Sequence, residues 1–202
     1  SQLLLPVPDV DRTDFLLALG ANPLASNGSL MTAPGIERRL RALRARGGRL
    51  VVVDPRRTET ARIASHYVPI RPGTDALLLL ALLQVLFEED LARPGRLAGF
   101  SDGLPELRAA AARFPPERVA DATGVAAGDL RELARAFAAA PSAVAYGRVG
   151  VSTQEFGGLC AWLINALNVV TGNLDRSGGA MFPQPAADLA GLGSLIGLRG
   201  SY

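Results

Sequence analysis

FLLALGANPLAS, residues Phe15 to Ser26, sets five consecutive apolar residues ahead of a glycine and a short, small-residue stretch. An unbroken apolar run of that length, closed by Gly20, is the pattern of a strand buried on both faces. Beyond it, a polar loop over Ala21 to Thr32 leads to Pro34 at the start of a helix. There Ile36, Leu40 and Leu43 recur at helical spacing until Gly47 and Gly48 end it. Leu50 to Val53 is a second buried strand, ending in Asp54-Pro55. A short helix over Thr58 to Ser65 precedes a third strand, Tyr67 to Ile70, broken at Pro72-Gly73. Thr74 or Asp75 then caps a long apolar helix. Strands alternating with helices in this way imply parallel pairing through right-handed crossovers.

The remainder reads as helices followed by one more strand. Leu91 to Ala140 is helical with breaks at Pro94-Gly95, Pro115-Pro116 and Gly124, and Asp121 to Gly128 resembles a turn ahead of a helix over Asp129 to Ala139. Ser142 to Tyr146 returns as a strand. Phe156 to Val170 is a helix with Leu159, Leu163, Ala166 and Leu167 on one side, and Phe156 and Trp162 read as core. Gly172 to Tyr202 is rich in Gly and Pro. The fold class is therefore α/β, a parallel sheet flanked by helices in a Rossmann-like variant. One domain is expected over residues 1–180, with a C-terminal arm or linker over 181–202.

Composition narrows the function. With 202 residues, 49% hydrophobic and 20% charged, the chain can bury a sizeable core. A formal net charge of +2 supplies no strong field for a polyanion, so no nucleic-acid partner is expected. All 21 basic residues are Arg, which grips carboxylates and phosphates bidentately. The longest apolar run, Ala76 to Phe87, is too short to span a bilayer, so membrane insertion is not expected. One Cys and one His make no zinc site. Cys160, inside a helix, reads as core, and His66 as a structural hydrogen-bonding residue. The six arginines between Glu37 and Arg49 read as a solvated face, and Asp175 with Arg176 as a local pair.

Ligands of open parallel sheets bind outside the carboxyl ends of the strands. Here those ends carry Gly20, Ala21, Asn22, Pro23 and Ser26; then Asp54, Arg56, Arg57 and Thr58; then Gly73, Thr74 and Asp75; and, after the last strand, Gly147 to Gln154. Gly20 lets a phosphate approach the backbone, and Asn22 or Ser26 can donate hydrogen bonds. Asp54 stands where a ribose-reading carboxylate stands, Arg56 and Arg57 can neutralise phosphate, and Asp75 can accept from the N1–H and amine of a guanine. Asp54-Pro55 also suits a plain turn, and Thr74-Asp75 a plain helix cap. The first loop is not G-x-G-x-x-G, so the ordinary NAD or FAD fingerprint is absent.

LGANPLAS (Leu19 to Ser26), VVVDPRRTETA (Val51 to Ala61) and PIRPGTDALLLLAL (Pro69 to Leu82) together resemble the molybdopterin guanine dinucleotide oxidoreductases, which include formate dehydrogenases, nitrate reductases and dimethyl sulfoxide reductase relatives. YGRVGVSTQEFGGL (Tyr146 to Leu159) and VVTGNLDRSGGAMFP (Val169 to Pro183) fit the same family. The resemblance implies a domain holding the guanine dinucleotide part of a molybdenum or tungsten pterin cofactor. Its contacts would come from Gly20, Ala21, Asn22, Pro23, Ser26, Asp54, Arg56, Arg57, Thr58, Gly73, Thr74 and Asp75, and from Val149 and Thr153 or Gln154 in the last loop. It also implies that the metal ligand and an iron–sulfur segment lie upstream and a second cofactor domain downstream. This chain alone would then be inactive, with no catalytic residue or metal ligand of its own, and its partners would be the other domains of the enzyme and an electron-transfer subunit. A cytoplasmic location is favoured, and a periplasmic one stays open because any signal would lie upstream. The rival readings are a Rossmann-type nucleotide-binding enzyme domain and a non-catalytic scaffold that has lost its cofactor.

Overall fold

The computed structural model describes residues 5–183. A short strand β1 (Val7–Pro8) precedes β2 (Phe15–Leu19), the one-turn helix α1 (Pro23–Ser26), α2 (Ile36–Ala45), β3 (Arg49–Val53), α3 (Glu59–Ile63), β4 (His66–Val68) and α4 (Asp75–Glu88). A 3-10 turn at Gly95–Phe100 then leads to α5 (Leu104–Ala111), α6 (Pro116–Thr123), α7 (Ala127–Ala139), β5 (Ala143–Gly147), α8 (Val149–Ser152), α9 (Gly157–Val170) and β6 (Ala180–Met181). Four strands form a parallel sheet in the order β4-β3-β2-β5, while β1 and β6 pair antiparallel beside it. The chain is thus α/β, as its alternating pattern predicts. Among the described residues no helix is long and apolar enough to cross a membrane.

β2 lies between β3 and β5 and is buried along its whole length, which is why its sequence is a solid apolar run. Successive side chains point to opposite faces. Phe15, Leu17 and Leu19 join Val51, Val53, Ala143 and Ala145 in the core shared with α4, α7 and α9. Leu16 and Ala18 join Leu50, Val52 and Val144 under Ile36, Leu40 and Leu43 of α2. Most of α4 is buried, because α5, α6, α7 and α9 surround it; an apolar residue on nearly every side is what such a central helix needs.

Several local expectations shift. The loop 21–32 contains the turn α1, started by Pro23, whose missing N–H costs nothing at a first helical position. Asp121 to Thr123 finish α6 and α7 already begins at Ala127, so the turn between them is shorter than expected. On α9 the inward face is Cys160, Leu163, Ile164 and Leu167. Leu159 (41%), Trp162 (55%) and, just before the helix, Phe156 (51%) are exposed rather than core, because three- and four-residue spacing from Cys160 selects a different stripe. His66 is exposed at the start of the edge strand β4. Asp175 accepts from Arg96 instead of Arg176, which donates to the Pro141 carbonyl. The expected arm lies outside the described residues from position 184 onward, and Met181 belongs to β6.

The outer edge of β5 exposes backbone groups that would otherwise template another strand. Two buried asparagines occupy it. Asn168 Nδ2 donates to the Ala145 carbonyl and its Oδ1 accepts from the Ala145 N–H, both at 2.9 Å, while Asn173 Oδ1 accepts from Ala143 N–H at 3.2 Å. Asn168→Ala leaves one buried donor and one buried acceptor unpaired and is expected to lower the unfolding free energy by about 2–4 kcal/mol. Urea unfolding reads this directly, and an unchanged midpoint would contradict it.

Candidate functional site

Parallel register brings the carboxyl ends of β3, β2 and β5 level: Leu19 pairs with Val53 on one side and Gly147 on the other. The residues that follow are therefore neighbours. Gly20 N–H donates to the Val53 carbonyl at 2.9 Å, Arg148 N–H to Leu19 at 3.2 Å, and Gly150 N–H to Gly20 at 3.1 Å. Gly20 has φ +52°, and a Cβ there would meet Gly150 C and Val151 N at 2.7 Å. A Cβ on Gly150 would likewise lie 2.7 Å from Gly20 Cα. Two bare backbones thus pack against each other and form a floor. Above them opens a hollow of about 420 Å³, lined by Gly20, Asn22, Ala25, Ser26, Asp54, Arg56, Thr58, Arg148, Val149 and Gly150.

Some lining side chains are already engaged. Asn22 donates from Nδ2 to Glu59 Oε2 at 2.7 Å, and its Oδ1 accepts from Thr60 Oγ1 at 2.8 Å, which ties the first loop to α3. That bond holds the Glu59 carboxyl below its usual range. Thr58 Oγ1 accepts from Ala61 N–H at 3.1 Å, so its hydroxyl caps α3. Asp54 Oδ1 accepts from Arg56 N–H at 2.8 Å, the Asx turn that ends β3. Ser26 and Arg56 are exposed at the hollow's edge.

Of the residues the sequence singles out, Gly20, Asn22, Ser26, Asp54, Arg56, Thr58 and Val149 come together around the hollow. Ala21 and Pro23 are buried and do not line it, and Arg57 and Gly73 are exposed outside its lining. Thr74 hydroxyl donates to the Arg71 carbonyl at 2.7 Å and Thr153 hydroxyl to Val149 at 2.8 Å. Arg148 and Gly150, which the sequence places after the last strand without assigning them a cofactor contact, also line the hollow, as does Ala25.

Asp75 occupies a separate position. It is 4% exposed at the first turn of α4, and Gln154 Nε2 donates to its Oδ2 at 2.8 Å. Burial raises its carboxyl above the ordinary range; the Gln154 bond and its own backbone N–H oppose this, and the charge of Asp54 adds to it. Gln154 Oε1 is itself buried and, among the described residues, without a donor. Asp75 therefore lies beneath the rim, sealed by an amide. Next to it, burial and the charge of Asp75 push the Cys160 thiol up to about 11, as expected of a packed thiol.

Residues 2–192 match the family model described as molybdopterin oxidoreductase. The chain belongs to that family. It is 32% identical to formate dehydrogenase H of Escherichia coli (strain K12) over 170 residues, 84% of this chain and 23% of that protein. Periplasmic nitrate reductase of Desulfovibrio desulfuricans is 30% identical over 183 residues, 86% of this chain and 24% of that protein. Among solved structures, acetylene hydratase from Pelobacter acetylenicus superposes with a TM-score of 0.79 at 27% identity, covering 92% of this chain and 25% of that one. The chain thus spans about a quarter of the length of the relatives it matches.

The molybdopterin family's α/β frame here carries one buried carboxyl whose raised value has a measurable sign. A folded value above the unfolded one contributes stability that is full below the unfolded carboxylate range and is lost as pH rises through the folded value. Asp75→Asn removes that loss while keeping an acceptor for Gln154. The melting temperature of the variant relative to the native chain is expected to rise between about pH 3 and about pH 7. An equal difference at both values would contradict the account.

Proposed function

We propose that the hollow above Gly20 and Gly150 holds the guanine dinucleotide part of a molybdopterin cofactor, and that the chain serves as one cofactor-binding domain of a molybdenum- or tungsten-dependent oxidoreductase. One observation carries this reading: three adjacent strand ends meet over a floor with no side chains, beside a carboxylate and arginines. The size of the hollow is within the range of small-molecule sites, about 300–1,000 Å³. A phosphate can come close to the Gly20 backbone because no Cβ intervenes. Asp54 keeps its second oxygen for a ribose hydroxyl, and Arg56 and Ser26 supply donors for phosphate oxygens.

The guanine end is assigned to Asp75. A purine reaching that carboxylate displaces the Gln154 amide, and the cost is reduced because the Gln154 Oε1 atom has no partner to lose. The metal–pterin group supplies the redox chemistry, while this chain supplies binding and electrostatics and contributes no acid, base or nucleophile. The metal ligand, the iron–sulfur segment, the second cofactor domain and an electron-transfer subunit belong, on this reading, outside these 202 residues. The isolated chain is accordingly without turnover.

Equilibrium titration of the chain with GDP, ADP and NAD tests the reading. GDP is expected to bind more tightly than ADP, and Asp75→Asn to weaken GDP by about 1–3 kcal/mol, the worth of a charged hydrogen bond. Adenine preference would favour a Rossmann-type nucleotide enzyme instead, and no binding of any of the three would favour a scaffold without ligand.

A further inference from the structure

Helix α9 carries no charged residue along its whole length. The other surface helices differ: α2, α5, α6 and α7 all expose acids and arginines to water. In composition α9 matches α4, which is uncharged from Ala76 to Phe87 and is enclosed by four helices. Among the described residues, however, α9 is covered on one side only. Cys160, Leu163, Ile164 and Leu167 pack inward on α4 and β5. Leu159, Trp162, Ala166 and Val169 follow one another at three- and four-residue spacing on the outward side, and the first two are exposed. A helix that is apolar on both sides has the composition of one covered on both. Large contiguous apolar surface is rarely left to water and marks a site of association.

Beside the outward stripe lies a hollow of about 220 Å³, walled by Leu104 and Leu107 of α5 and by Trp162, Ala166 and Val169. Phe100 is exposed at its edge, next to the lining residue Ser101. We infer that this face seats a second copy of the chain, the two α9 helices packing antiparallel about a two-fold axis. A two-fold interface has to be complementary to itself, and here a projecting indole and the hollow that receives its counterpart share one face. The charges agree with an antiparallel pairing. Glu155 is exposed immediately before α9, and Arg93 is held at the carboxyl end of the helix by its N–H, which donates to the Val170 carbonyl at 2.8 Å. Antiparallel helices set the Glu155 end of each copy against the Arg93 end of the other. A net charge of +2 gives two copies little mutual repulsion. The pairing does not depend on what the hollow above Gly20 holds.

Sedimentation equilibrium of the full chain between about 1 and 100 μM, where interfaces of ordinary size begin to populate, tests the pairing. A monomer–dimer equilibrium is expected. Trp162 is the one tryptophan of the chain, so its fluorescence reads the same event, with the emission maximum moving to shorter wavelength as concentration rises. Trp162→Glu, and Leu159→Glu, which keeps the fluorophore, are each expected to weaken dimerisation by about 10- to 100-fold, the scale of losing an anchoring side chain at an interface. Ala42→Glu adds the same charge at an exposed position of α2, against the other face of the sheet, and is expected to leave the equilibrium unchanged. Circular dichroism melting establishes that each variant is folded. A chain that stays monomeric over the whole range overturns the proposal and leaves the stripe to be covered from within a longer protein. Association that Trp162→Glu and Leu159→Glu alter no more than Ala42→Glu overturns it equally.

Discussion

Two glycine backbones in contact, Gly20 against Gly150, determine how closely the ends of β2 and β5 approach, and the rest of the rim follows from that approach. Each position is closed to a side chain by the other's main chain at 2.7 Å, and a hydrogen bond from Gly150 to Gly20 joins them. The parallel register then has no freedom left. Asp54 falls beside Gly20 on one side and Arg148 on the other, so a floor without side chains is flanked by one carboxylate and two cations. The polar side chains around it are held mostly by one another: Asn22 ties its loop to α3, and Thr58 caps that helix. A hollow assembled this way is positioned by the sheet, while its loops supply the polar side chains.

The strands and their carboxyl ends were legible because burial on both faces writes an unmistakable apolar run, as in Phe15–Leu19 and Leu50–Val53. Asp54 and Arg56 follow such a run directly, so counting from the strand end was enough to find them. Asp75 was found as a candidate, but its sealing by Gln154 was not, since a hydrogen bond between side chains 79 positions apart leaves no trace in local pattern. On α9, apolar residues at many positions permit more than one buried stripe. Leu159 and Trp162 therefore read as inward along with Cys160, whereas the buried stripe is Cys160, Leu163, Ile164 and Leu167. Arg148 is legible as a strand-end residue, and the parallel register puts it at the rim.

The relatives include a formate dehydrogenase, a nitrate reductase and an acetylene hydratase, proteins named for different substrates. What they share with this chain is the α/β segment. Outside the hollow, the Cys160 thiol is buried and the buried Asp75 carboxyl accepts from the Gln154 amide. On the reading proposed above, the parallel sheet supplies a nucleotide-binding rim.

The account's central claim is that the converged strand ends are one ligand-binding surface. Backbone amide shift mapping of the isotope-labelled chain during titration with GDP addresses it most directly. The account predicts that the largest perturbations fall on Gly20, Ser26, Arg56, Arg148 and Gly150 together, with one shared saturation curve. Perturbations that cluster elsewhere, such as along the exposed face of α9, or that titrate separately at the first and last loops, would contradict it.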